Sequence, residues 1–234
     1  KSGAIREWSM KEYKENNAHR HISHLYCAWP SYQTQHDDIL SDACRQAIVN
    51  RNRENTGKDD TASHGWIHKA LVEARLKNSE AVYDILNLLV HSDIFYTSLF
   101  TDHNTNRAKG VACTDTLFGI AGIVNEMLVY SDRSTIELFP ALSSRIPKGK
   151  VCGLMTRAGV RIDSLEWCIN TGTEGLKTDM KDGFYIKFKI TALRDTEFGL
   201  ILKNENFNEM SKEDKALFNQ NIKLKSGEEY AILL

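Results

Sequence analysis

Charge of one sign, long apolar runs, paired cysteines and repeats are all missing from this chain. Its 30 Lys and Arg stand against 31 Asp and Glu, a formal net charge of −1. No basic cluster with interleaved aromatics occurs, so a phosphate-backbone partner is not expected. No apolar run approaches the roughly 18 residues of a membrane span, so no membrane insertion is expected. The five cysteines (Cys27, Cys44, Cys113, Cys152 and Cys168) form no C-x-x-C pair, and their odd number leaves at least one unpaired. They read as small buried apolar groups rather than a disulfide framework. Neither an initiating methionine nor a secretory signal opens the sequence, and the chain reads as a fragment of a longer protein. What is present, 41% hydrophobic and 26% charged residues over 234 positions, has room for one large domain or two modest ones.

Apolar spacing divides the chain in two. Leu40, Ala43, Cys44 and Ala47 recur at helical intervals behind Asp37 and Asp38, acidic residues suited to a helix start. A polar loop follows at 52–63, then helical stripes at 66–76 and at 80–90 behind Ser79, a residue suited to capping. A polar connector at 103–109 leads to an apolar helix from Asp115 to about Tyr130. That helix contains Gly119 and Gly122, each costing about 1 kcal/mol against alanine, so close packing or a ligand should explain them. After Pro140 the period changes: Phe184, Ile186, Phe188 and Ile190 alternate with Tyr185, Lys187 and Lys189, a half-buried strand. Residues 151–155, 160–167, 198–203 and 230–234 also read as strands. Helices from about 37 to 130 and strands from about 136 onward predict an α-then-β chain in two domains, 1–145 and 146–234, hinged at 147–149.

The densest chemistry lies in His19-Arg20-His21-Ile22-Ser23-His24-Leu25-Tyr26. No regular helix or strand puts His19, Arg20, His21 and His24 on one face. Three readings stay open on the residues alone. They are scattered surface and half-buried polar groups, a His-x-His-x-x-His zinc site, or a pocket gripping a ligand rich in hydroxyls.

The whole string resembles the His-Arg-His-(Leu/Ile)-Ser-His-Leu-Tyr block of glycoside hydrolase family 95, the inverting α-L-fucosidases and α-L-galactosidases. Further blocks follow in the family's order. They are Ile5-Arg6-Glu7-Trp8, Ala74-Arg75-Leu76, the run from Phe118 to Leu128, Leu138-Phe139-Pro140-Ala141-Leu142, and Gly149-Lys150-Val151-Cys152-Gly153-Leu154 with Arg157-Ala158-Gly159. The resemblance implies the closing helices of an (α/α)6 barrel followed by a C-terminal β-sandwich. It implies a carbohydrate substrate, a terminal α-L-fucosyl or α-L-galactosyl linkage in a glycan. It implies no cofactor and no metal, and a periplasmic or extracellular setting.

Inverting hydrolysis pairs an acid with a base. The resemblance places the base at Asp115, in Thr114-Asp115-Thr116-Leu117, where the family's Gly-Asn has become Thr116-Leu117; a helix cap is the alternative for Asp115. The general acid falls upstream of Lys1, so the upstream part of the protein is an expected partner and the chain alone is expected to be inactive. Arg20 and His21 match residues that hold sugar hydroxyls, joined as candidates by His19, His24, His103 and Glu7. His24 could instead orient its neighbours, and Glu7 could shape the pocket or cap a backbone group. Trp8, Tyr26 and Trp29 are candidates for stacking on a pyranose, with core packing the alternative. His36, His64, His68 and His91 read as surface or core groups. A catalytically impaired carbohydrate-binding protein on the same scaffold is the second reading, and a zinc hydrolase on His19, His21 and His24 the third.

Overall fold

A computed structural model describes residues 3–55, 61–105, 110–169 and 185–234. Phe184, the first residue of the expected strand, lies outside them. Helices come first and strands follow, in two compact units, Lys1–Glu126 and Met127–Leu234.

The first unit begins irregularly, with two 3-10 turns, Ser23–Cys27 and Gln33–Gln35. Helix α1 (Asp38–Glu54) starts where Asp37 accepts a hydrogen bond from the Leu40 amide at 2.9 Å. Its Cys44, Ala47 and Ile48 join Ile22, Leu25 and Ala28 in one buried cluster with Val72 and Leu76 of the next hairpin, so the histidine segment rests on α1. Helix α2 spans Ser63–Arg75, three residues longer at its start than the apolar stripe predicts. Helix α3 (Ser79–His91) is capped by Asn78 rather than Ser79, its side chain accepting from the Ala81 amide. Helix α4 covers Thr114–Leu128, with Asp115 in its first turn. Among the described residues, no helix is long and apolar enough to cross a membrane.

The glycines of α4 differ in what they face. A Cβ on Gly119 would lie 2.3 Å from Ile67 Cγ2, so the close approach of α2 and α4 excludes a side chain there. A Cβ on Gly122 would meet only Leu71 Cδ2, at 3.7 Å.

The helical reading of residues 129 and 130 is corrected. Val129–Ser131 is strand β1, antiparallel to β2 (Thr135–Leu138). The division of the two compact units at 126/127 leaves that hairpin in the second. The predicted strand at 151–155 is two, β3 (Lys148–Val151) and β4 (Leu154–Met155), broken at Gly153 with φ +77° and both paired to β5 (Val160–Cys168). β6 (Tyr185–Ala192) pairs antiparallel with β5 and sets Ile190 opposite Ile162, Phe188 opposite Leu165 and Ile186 opposite Trp167, all buried. β7 (Thr196–Leu202), a short helix α5 (Lys212–Leu217), β8 (Gln220–Leu224) and β9 (Glu229–Leu233) complete two sheets, ordered β1-β2-β7-β8 and β3-β5-β6-β9.

Candidate functional site

Three short segments far apart in sequence are pinned at one buried knot. The Ser63 amide donates to the His103 carbonyl and the Ser63 hydroxyl to the Asp102 carbonyl, each at 2.8 Å. The Thr116 hydroxyl donates to Ser63 Oγ at 2.7 Å. Ser63, Asp102 and Thr116 are fully buried. Asp102 is itself fixed by the Tyr96 hydroxyl and the Asn104 amide, and those hydrogen bonds, the amide's first, hold its carboxyl below the usual range. The sequence neighbours of these three residues are His64, His103 and Asp115. A knot of backbone and hydroxyl groups therefore positions three side chains of a possible site, and Thr116 serves as an anchor.

The imidazoles form a row. His19 and His21 meet edge-on with centroids 5.0 Å apart, His21 and His64 lie 5.4 Å apart, and His64 and His103 lie 5.0 Å apart. His64 and His68 are four residues apart on α2, so they share one face. Burial pushes His64 down, with the His103 charge adding to that, the Asp115 carboxylate opposing it and Arg20 lowering it further. Burial likewise pushes His68 down, helped by His21 and His64. Neutral imidazoles that donate at one nitrogen and accept at the other suit hydroxyl groups. Among the described residues, no three His, Cys, Asp or Glu side chains gather in a way that could hold a metal ion.

Asp115 is exposed and opens into a groove of about 560 Å³ with His64, His68, Trp29, Phe118 and Glu126, a size suited to a small ligand. The groove runs along the face of α4 that carries Asp115, Gly119, Gly122 and Glu126. Leu117, about 200° round the helix from Asp115 at 100° per residue, is not among its lining residues. Trp29 sits edge-on to His68 at 5.8 Å and lines the groove. Trp8 and Tyr26 are 47% and 63% exposed, so neither is a core residue. His19 and Arg20 also line a second cavity of about 470 Å³, together with Arg51, Trp66 and Lys69.

Glu7 and His24 line neither of these cavities. The Arg51 guanidinium donates to Glu7 Oε2 at 3.1 Å and to the His19 carbonyl at 2.6 Å, so Glu7 holds the cation that holds the histidine segment. His24 titrates among Arg51, Glu7 and Glu15; burial first, then the Arg51 charge, lowers its pKa. The structure thus links His19, His21, His64 and His103 by ring contacts, sets Asp115 with His64 in the groove and Arg20 with His19 in the second cavity, and leaves Glu7 and His24 out of the lining of both. His64, a surface or core group on the sequence alone, stands in this row because α2 begins at Ser63, ahead of the apolar stripe from Trp66. Its signal was the i, i+4 spacing with His68.

The comparisons with known proteins bear on this row of imidazoles beside a carboxylate. The profile of the glycosyl hydrolase family 95 catalytic domain matches residues 1–128. The chain belongs to glycosyl hydrolase family 95. It is 33% identical over 180 residues to alpha-L-fucosidase 2 of Arabidopsis thaliana, a match covering 71% of this chain and 20% of that protein. It is 29% identical over 178 residues to probable alpha-fucosidase A of Aspergillus oryzae (69% and 25% covered) and 27% over 213 to the protein of that name from Aspergillus niger (82% and 26%). The matches span only a fifth to a quarter of the length of these relatives.

Proposed function

We propose that this chain supplies the general base and part of the sugar pocket of an inverting glycoside hydrolase acting on a terminal α-L-fucosyl or α-L-galactosyl linkage. Its helices would be the closing helices of an (α/α)6 barrel and its two sheets a C-terminal β-sandwich. The observation carrying the reading is the exposed Asp115 carboxylate in a groove beside His64, which His21 and His103 flank at 5.0–5.4 Å.

In this mechanism Asp115 accepts a proton from a water as that water's oxygen bonds to the anomeric carbon. On the opposite face, a carboxylic acid from the upstream part of the protein protonates the leaving oxygen as the glycosidic bond breaks. The two carboxyls would stand roughly 6.5–9.5 Å apart, leaving room for the water. Arg20, His21, His64 and His103 hold the sugar hydroxyls, with His19 at the end of the row. Glu7, through Arg51, and His24 keep the segment in place.

A carbohydrate-binding protein without activity would keep the same row, and Leu117 in place of the family's asparagine favours that second reading. Kinetics of the complete protein separate the two. Asp115→Asn should lower kcat roughly 10²- to 10⁴-fold on an aryl α-L-fucoside or α-L-galactoside, with folding unchanged. An active parent protein whose rate survives the substitution would reduce Asp115 to a helix-start residue.

A further inference from the structure

Cys27 and Cys44 play no part in the sugar pocket, yet their sulfurs lie 3.4 Å apart. Cys27 ends the 3-10 turn carrying His24, and Cys44 sits in the middle of α1. Cys44 is fully buried, Cys27 partly exposed. Both belong to the packing that seats the histidine segment on α1. The remaining cysteines are placed differently: Cys113 Sγ lies 3.2 Å from the Thr116 hydroxyl, Cys152 is exposed, and Cys168 is half-buried.

We propose that Cys27 and Cys44 are a modification site, a thiol pair that a small-molecule disulfide oxidises to a single intrachain bridge tying the histidine segment to α1. The sulfurs must approach by about 1.4 Å to reach the ~2.05 Å of a disulfide. A shift of that size is within reach of a short 3-10 turn resting on a helix. The segment it would tether carries His19, Arg20 and His21, so the bridge would fix the pocket wall against α1.

The order of events follows from exposure. The Cys27 thiolate, reachable from solvent, attacks the small disulfide, forms a mixed disulfide and expels one thiolate. Cys44 then loses its proton to solvent and attacks Cys27 Sγ, expelling the second thiol. Two protein thiols are oxidised and one external disulfide is reduced to two thiols. Burial, and then the contact with Cys27, push the Cys44 thiol up to about 12. The second step is therefore slow at neutral pH and quickens as pH rises, because the thiolate is the nucleophile.

The test treats the folded 234-residue chain with oxidised glutathione at pH 8, blocks free thiols and maps the peptides without reduction. The expected product is one cross-linked pair containing Cys27 and Cys44, lighter than the free thiols by two hydrogens, with Cys113 still free. In Cys44→Ala, glutathione should remain attached to Cys27. Exposed Cys152 shows that the oxidant has worked. Glutathionylated Cys152 without a Cys27–Cys44 link overturns the proposal, as does Cys27 left unmodified in Cys44→Ala.

Discussion

Arg75 and Glu126 are the residues whose roles depend most on each other. The Arg75 side chain is 2% exposed, and its guanidinium donates to both oxygens of Glu126, at 2.5 and 2.8 Å. A third donation goes to the Ser31 carbonyl at 3.1 Å. The sequence shows the two residues as separate blocks, Ala74-Arg75-Leu76 and Asn125-Glu126-Met127. Nothing in their spacing says that they touch, because 51 residues separate them. Breaking such a pair leaves an uncompensated buried charge, typically 3–5 kcal/mol. Glu126 is 19% exposed, so solvent offsets part of that. Glu126→Gln should therefore cost about 3 kcal/mol, read as a lower urea midpoint at unchanged slope. Arg75→Met combined with Glu126→Met should recover most of it. A loss below about 0.5 kcal/mol for Glu126→Gln would mean that the pair is screened as surface pairs are.

At the scale of elements, the helices and the starts of α1, α3 and α4 are legible in the sequence, and the start of α2 is not. The apolar stripe of α2 begins at Trp66, but its first turn is fixed by Ser63, whose polar bonds reach residues 102, 103 and 116. Periodicity carries no signal for such contacts, so a stripe starting at Trp66 leaves His64 off the helix. Strand β8 escaped for a similar reason: Gln220–Leu224 has only two apolar side chains, Ile222 and Leu224, to show the alternation. Close packing accounts for Gly119 of α4, whereas Gly122 has room for a methyl group. Gly119→Ala puts a methyl group into Ile67, and overpacking should cost about 1–3 kcal/mol despite the better helix former. Gly122→Ala meets only an ordinary contact and should gain up to about 1 kcal/mol. Chemical denaturation of both variants checks the pair, and Ile67→Ala should relieve the first. Equal effects at the two positions would refute the packing account.

Over the whole molecule, all eight histidines fall between residues 19 and 103, inside the first unit, and the second has none. That asymmetry was visible in the sequence; which of the eight are burdened by burial was not. Burial lowers His24, His64 and His68 from their ordinary 6.5. The unfolded chain therefore binds more protons than the folded one near that pH. The stability these groups contribute is fully present above about pH 6.5 and is lost as pH falls through their lower folded values. Glu73, raised by burial from 4.5, acts in the opposite sense, a single group against three. In the second unit Asp163 and Asp195 are held below 3.8 and Lys189 and Lys225 above 10.5, all far from this window. Acidification from pH 7.5 to 5.5 should then loosen the first unit alone. Hydrogen exchange read by peptide and scaled for the intrinsic pH dependence would show reduced protection across 63–76 and unchanged protection across 185–202. His68→Gln, which removes one burdened imidazole, should shrink the difference. Equal loosening of both spans, or none in either, would show that the buried imidazoles do not govern the acid response.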